Sequence, residues 1–413
     1  MRRVVVTGIG VLTPIGNSVS EYLDGLQKGI SGVSAITHFD ASNFKTKFAA
    51  EVKGFNPELY FEKKEVRKND RFTQFAMAAS DEALKDSGLD LGKINLDQVG
   101  VILGSGIGGL GTLETEIFSY ASGNGIPRYN PFMIPKMISN MAGGMVAIRY
   151  GFGGVNYAPV SACATSSHAI INAYDCIRLG RADVIVSGGS EAVITATAVG
   201  GFTSMKAMSE RNDDPQTASR PYDKERDGFV LGEGAGTLIL EEYEHAKARG
   251  ARIYCEIIGT GMTCDAYHMS APHPDGVGVI RCMENALREA NISASTIDYI
   301  NTHGTSTPLG DNAELKAIAA VFGDAAYKMN ISATKSMTGH LLGAAGAIEA
   351  VAGILAMEND FVPPTINHFT DDPEIDSKLN LTFNEAQHRK LNVVLSNTFG
   401  FGGHNTSILM KKI

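Results

Sequence analysis

Val160-Ser161-Ala162-Cys163-Ala164-Thr165-Ser166-Ser167-His168 is the stretch around which this chain is organised. Before it, residues 156–160 read as a short apolar strand. After it, Ala169, Ile170, Ala173 and Ile177 recur at helical spacing and predict a helix over 164–179. Cys163 therefore stands where strand becomes helix. That is the position of a nucleophile elbow, without the Gly-x-Ser-x-Gly sequence itself. A helix N-terminus carries about half a positive charge and unpaired N–H groups. Both favour the thiolate of a group whose ordinary pKa is about 8.5. Ala162 and Ala164 leave room for a substrate. A buried, inert cysteine is the other reading, and this stretch alone does not separate the two.

The chain has 413 residues, of which 44% are hydrophobic and 20% charged. That suits a globular protein with two domains or two large halves. The five cysteines (163, 176, 255, 264 and 282) form no C-x-x-C pair, so a reducing, cytoplasmic setting is expected. The apolar part of residues 1–8 is too short for a signal peptide. No run reaches 18 apolar residues, so no membrane span is expected. A net charge of −9 argues against a general nucleic-acid binder.

Residues 3–7 read as a β-branched strand. Gly8-Ile9-Gly10-Val11-Leu12-Thr13 imitates a dinucleotide fingerprint but has Thr13 where the third glycine belongs, and reads as a turn. Ser18-Val19-Ser20-Glu21 is a capping box. Lys64, Arg67, Lys68 and Arg71 fall on one face of an assumed helix. That face is either solvated or a docking site for an acidic partner. Helices are predicted over 72–87 and 133–148, and strands over 99–103, 184–187 and 237–241. Gly104–Gly109 and Gly188–Glu191 read as a loop and a turn. Gly250 is the best boundary, giving units 1–250 and 251–413. The second unit predicts strands at 252–260, 299–302, 393–396 and 404–410, with helices at 277–290, 312–322 and 344–357. The alternation suggests two stacked α/β units. No internal repeat is strong enough in sequence to establish duplication.

Two further stretches resemble the first in kind. Asn301-Thr302-His303-Gly304-Thr305-Ser306-Thr307 puts a histidine at a strand end. Ser332-Ala333-Thr334-Lys335-Ser336-Met337-Thr338-Gly339-His340 puts another just before a glycine-rich helix start. A lone histidine is more often structural. Two at strand-to-helix crossings, beside a cysteine elbow, shift the balance to a site, because ligands bind at such strand ends. A Cys–His–His zinc site is the rival chemistry, but the spacing of structural zinc ligands is missing. Asn397-Thr398-Phe399-Gly400-Phe401-Gly402-Gly403-His404 supplies a fourth loop.

With these motifs together, the chain resembles the β-ketoacyl-acyl-carrier-protein synthases, from residue 3 to nearly the C-terminus. Ile107 and Phe202 make the resemblance one to synthase II. It departs from thiolases, since no cysteine follows Cys282, and from the synthase III type, which has Asn where His340 stands. His404 replaces a Thr often seen in the family. The resemblance implies a thiolase-like fold, with two similar α/β halves in five layers (αβαβα), and a homodimer. It implies a decarboxylative Claisen condensation of a Cys163-bound acyl group with malonyl-acyl-carrier protein, with no cofactor and no metal. Cys163 would be the nucleophile, His303 and His340 the N–H donors, Lys335 the residue orienting them, and Phe401 with Cys163 the oxyanion hole. Ile107, Phe202, Gly400, Phe401, Thr305 and Thr307 would contact substrate. Lys64, Arg67, Lys68, Arg128 and Lys206 would meet acyl carrier protein. A non-catalytic scaffold or chain-length subunit of the same fold is the second function class, and the intact Cys163, His303 and His340 discriminate against it.

Overall fold

The computed structural model describes residues 1–413. The first half contributes β1 (Val4–Leu12), α1 (Arg71–Ser87), β2 (Val99–Gly104), α2 (Met141–Tyr150), β3 (Asn156–Tyr157), α3 (Thr165–Arg178), β4 (Val184–Glu191) and β5 (Gly234–Glu242). The second contributes β6 (Cys255–Cys264), α4 (Val277–Ala290), β7 (Tyr299–Asn301), α5 (Pro308–Phe322), β8 (Asn330–Ser332), α6 (Ala345–Asn359), β9 (Val393–Gly400) and β10 (His404–Lys411).

The ten strands form one ladder in the order β8-β7-β9-β10-β6-β1-β5-β4-β2-β3. Its seam is short: only Val4–Val6 of β1 pair with β6, antiparallel. From the seam outward the two sides repeat one plan. β1-β5-β4-β2-β3 and β6-β10-β9-β7-β8 each run through two antiparallel and then two parallel pairings. Helices α3 and α6 pack against strands of both sides, with α1 and α2 outside the first side and α4 and α5 outside the second. That makes five layers, the arrangement the resemblance implies. The middle layer explains the composition of α6, which is apolar nearly all round and buried along its length except at its last two residues. Together with the turn before it (342–359) it is long and apolar enough to cross a membrane, yet 89% of that stretch is buried in the fold. It is a core helix.

The structure corrects several expectations. Gly8–Leu12 is strand, not turn. Its glycines let α1 lie directly on β1: a methyl on Gly8 or Gly10 would strike the carbonyl oxygens of Ala83 and Ala79. The N–H groups of Ile9 and Val11, beyond the seam, donate to Asp86 and Glu82 of α1, each at 2.9 Å. The second side repeats this device. Gly259 and Gly261 lie against Ala286 and Cys282 of α4, and the Thr260 N–H donates to Glu289 at 2.8 Å. Gly188–Glu191 likewise continues β4, where the bare Gly188 admits the Gly236 backbone. The helix expected over 133–148 breaks into Met133–Met137 and α2, because the Met137 carbonyl accepts the Gly109 N–H instead of continuing a helical ladder. The strand expected over 156–160 is only Asn156–Tyr157.

The basic segment is corrected too. Lys63–Val66 is a single turn, and α1 starts afresh after the Asp70 cap. Lys64, Arg67 and Lys68 are exposed, whereas Arg71 turns inward to buried Glu233 at 2.9 Å. Arg71 therefore leaves the proposed face.

Candidate active site

Ala162–Ala164 is a turn of 3-10 helix that runs into α3, with Ala162 held at φ 50°. This left-handed elbow aims Cys163 at the ends of β7 and β9. Gly400 touches it closely: a methyl there would sit 2.7 Å from the Ser161 carbonyl and 3.2 Å from the Cys163 nitrogen. The next residue, Phe401, presents its N–H to the Cys163 sulfur.

His340 Nε2 lies 3.0 Å from Cys163 Sγ. The Leu342 N–H donates to His340 Nδ1 at 3.3 Å. His303 follows β7, and Lys335 Nζ donates to its Nδ1 at 3.4 Å and to its carbonyl at 2.6 Å. Lys335 is buried and also pairs with buried Glu349. An imidazole nitrogen that accepts leaves the proton on the other nitrogen. Both rings thus carry their proton at Nε2. Burial, reinforced by the Lys335 charge, holds both far below the ordinary histidine range, so both stay neutral. The result is two fixed N–H donors beside the sulfur.

The same geometry bears on the metal reading. The three ligand-capable atoms of Cys163, His303 and His340 lie within 4.8 Å of one another. A metal-bound histidine donates its second ring N–H to a partner. Here the second nitrogens accept instead, so the Nε2 positions offer protons and not lone pairs. The donor set does not fit a cation.

Burial pushes the Cys163 thiol up to about 11, opposed by the Lys335 charge and the Phe401 N–H. Sequence reasoning weighed the helix end alone, and desolvation reverses the direction. Glu314 and Glu349 are each pushed up to about 7 by burial. Glu314 accepts the N–H groups of His303 at 2.9 Å and Gly304 at 3.0 Å, which fixes the loop after β7. Glu191 accepts from Ser105 Oγ at 2.8 Å and from the N–H groups of Gly106 and Gly343 at 2.8 and 3.0 Å. It ties the glycine loop to the approach of α6. Neither acid was identified from sequence. The signal for Glu314 was an acid flanked by apolar Ala313 and Leu315 within a helix.

A cavity of about 450 Å³ opens on these groups. Cys163, His303, His340, Ile107, Phe202, Lys206, Thr305, Thr307, Gly400 and Phe401 all line it. Lys335 stands behind His303. Lys64, Arg67, Lys68 and Arg128 do not line it and lie exposed on the surface. On one side of Cys163 the wall is apolar, with Phe229, Leu342 and Phe202 in one packed cluster.

Residues 1–246 match the family model described as "Beta-ketoacyl synthase, N-terminal domain", and residues 254–369 match the corresponding C-terminal domain. The chain is 49% identical over 412 residues to the 3-oxoacyl-(acyl-carrier-protein) synthase 2 of Coxiella burnetii, covering 100% of this chain and 99% of that one. It is 47% identical over 411 residues to the protein of that name from Staphylococcus aureus (strain COL), covering 100% and 98%. Among solved structures, a beta-ketoacyl synthase from Burkholderia phymatum superposes with a TM-score of 0.92 at 36% identity, covering all of both chains. A type II polyketide acyl-carrier protein in complex with its ketosynthase gives 0.92 at 36%, covering 100% and 99%. With matching models over most of its length, close relatives end to end and a cysteine between two N–H-donating histidines, this chain belongs to the beta-ketoacyl synthase family.

Proposed function

We propose that this protein is a 3-oxoacyl-acyl-carrier-protein synthase II, an acyltransferase of fatty acid elongation. The single observation that carries the reading is the pair of Nε2–H donors fixed beside Cys163. In the first half-reaction the Cys163 sulfur attacks an acyl thioester. The carrier thiol leaves with the proton that Cys163 gives up, so the exchange balances without a cofactor. His340 is not the base, since its Nε2 already holds a proton. The Cys163 and Phe401 N–H groups hold the oxyanion. In the second half-reaction malonyl-acyl-carrier protein loses carbon dioxide. Negative charge gathers on its thioester oxygen, which His303 and His340 hold. Two donors at about 3 kcal/mol each supply a factor of about ten-thousandfold. The enolate carbon attacks the acyl-cysteine, the 3-oxoacyl product forms, and the sulfur leaves as a thiolate that takes up one proton from water to restore the Cys163 thiol. The test is to incubate the enzyme with acyl carrier proteins of graded length, weigh the Cys163 adduct by mass spectrometry, then add malonyl-carrier protein. No adduct and no 3-oxoacyl product would overturn the assignment.

Lys64, Arg67, Lys68, Arg128 and Lys206 are assigned to docking of the acidic carrier. All five are exposed, on a chain whose net charge is −9. Charge reversal at Arg67 and Lys68 should raise the carrier KM and flatten its salt dependence while sparing small acyl thioesters. An unchanged carrier KM would return these side chains to a plain solvated surface.

Ile107 is assigned to acyl-length selection. It lines the cavity and is 38% exposed in the protomer, so it is not core. Ile107→Phe should shorten the longest accepted chain. Overpacking by about 1–3 kcal/mol gives a five- to hundredfold loss on long chains. Comparing kcat/KM on six-, ten- and fourteen-carbon carriers beside a melting curve checks this. A uniform drop with a lowered melting point would defeat it.

A homodimer completes the reading. Ile117, Phe118, Ile126, Phe132 and Ile134 are exposed on one run of chain, and β3, the edge strand of the ladder, is exposed as well. A second copy covers such a face, with Pro131-Phe132-Met133 closing the partner's acyl tunnel. We place the boundary between halves at Gly250, which the gap between the two matched models supports. A cytoplasmic setting accords with five unpaired cysteines.

A further inference from the structure

The loop that carries Phe401 is clasped from two sides. On one side Gly402 N–H donates to the Met269 carbonyl at 2.8 Å, and the Asp265 N–H donates to the Gly403 carbonyl at 2.9 Å. On the other side lies His404. It pairs with Gly400 across the hairpin, so three residues, Phe401 to Gly403, span the turn between them. Its imidazole lies against Gly402, where an added methyl would sit 3.0 Å from Nε2 and 3.1 Å from Cδ2. Gly402 also has φ 90°, a conformation suited to glycine.

The His404 ring in turn stands edge-on to His168, with centroids 6.0 Å apart and planes at 89°. His168 belongs to α3, the helix that begins beside Cys163. Its Nδ1 is 2.7 Å from the hydroxyl of Ser161, two residues before the nucleophile. A continuous chain of contacts therefore runs from the elbow through Ser161, His168 and His404 to the Phe401 loop. Burial and His404 hold His168 down at about 4, so this inner ring stays neutral. None of these three side chains lines the cavity.

We propose that His404 and His168 form a ring-on-ring latch that holds the Phe401 loop closed over Cys163. Both are positioning residues: they act through Phe401 and Ser161 and touch no substrate. The latch fixes the Phe401 N–H against the sulfur and keeps the Phe401 ring across the cavity. Its role in catalysis rests on the condensing activity proposed above, while its effect on the loop is measurable without that activity.

The experiment uses the full-length protein with His404→Ala, His168→Ala, the double variant and His404→Phe. The first readout is the rate at which iodoacetamide alkylates Cys163, followed by mass spectrometry. The second is the ratio of kcat/KM on fourteen- and six-carbon acyl carriers. Each single alanine variant should raise the alkylation rate at least fivefold and shift the chain-length ratio. The double variant should do no more than either single, because a latch breaks only once. His404→Phe restores a flat ring against Gly402 and should return alkylation towards wild type. Unchanged alkylation in both singles overturns the latch, whatever their melting points. So do additive effects, or a phenylalanine variant that behaves like alanine. If wild type fails to condense but the alkylation pattern holds, the functional reading falls and the latch stands.

Discussion

Cys163→Ala should abolish acyl transfer and condensation while leaving slow decarboxylation of malonyl-acyl-carrier protein. The sulfur is the only group placed to receive the acyl chain, since His303 and His340 hold their protons toward it. Removing the sulfur disturbs neither donor. His340 keeps the Leu342 N–H on Nδ1, and His303 keeps Lys335 on its own. The site for the thioester oxygen therefore survives the loss of the nucleophile. Carbon dioxide release from malonyl-carrier protein, measured beside 3-oxoacyl product, separates the two functions. A Cys163→Ala protein that still elongates its carrier would sink the covalent route.

Single changes at His303 or His340 should invert that pattern. Each alanine removes one fixed donor and should cut decarboxylation by about a hundredfold or more, with Cys163 acylation still measurable. The two positions differ in side effects. His303→Ala leaves Lys335 its carbonyl partner at 2.6 Å and Glu349. His340→Ala strands the Leu342 N–H and removes a ring 3.0 Å from the sulfur, so acylation should also slow somewhat. Asparagine at either position supplies an N–H and should restore part of the decarboxylation. Loss of acylation with normal decarboxylation would reverse the assignment.

Cys163, His303, Lys335 and His340, which the structure brings together, were legible in the sequence as candidates because each sits in a distinctive small-residue motif at a strand end. What the sequence hid has specific causes. Glycines at 8, 10, 188 and 189 read as turns, because a turn and a close approach of backbone both call for the missing side chain. Only the position of α1 shows that Gly8 and Gly10 admit a helix. Helical spacing at 64, 67, 68 and 71 presumes an unbroken helix, and the Asp70 cap breaks it. The fixed Nε2 protons depend on Leu342 and Lys335 as spatial neighbours, which spacing does not reveal. The raised Cys163 thiol depends on how deeply the elbow is buried. Glu191 works by gathering donors from the loop at 105–107 and from Gly343, two segments far apart in the chain, so no local pattern marks it.

The repeated strand plan has a counterpart at the elbow. Leu342–Ala344 is a second 3-10 turn that opens into α6, with Leu342 at φ 45° as Ala162 is at φ 50°. At its apex, where the first turn has Cys163, the second has Gly343. The vacant apex is not idle: its N–H is bound by Glu191, at 3.0 Å. The two halves thus hold two geometrically equivalent seats for a nucleophile: one carries sulfur, and the other braces the glycine loop. The asymmetry of a two-step reaction, with one site for the covalent intermediate and histidines drawn from the other half, is thereby set on a scaffold whose two sides share one strand plan.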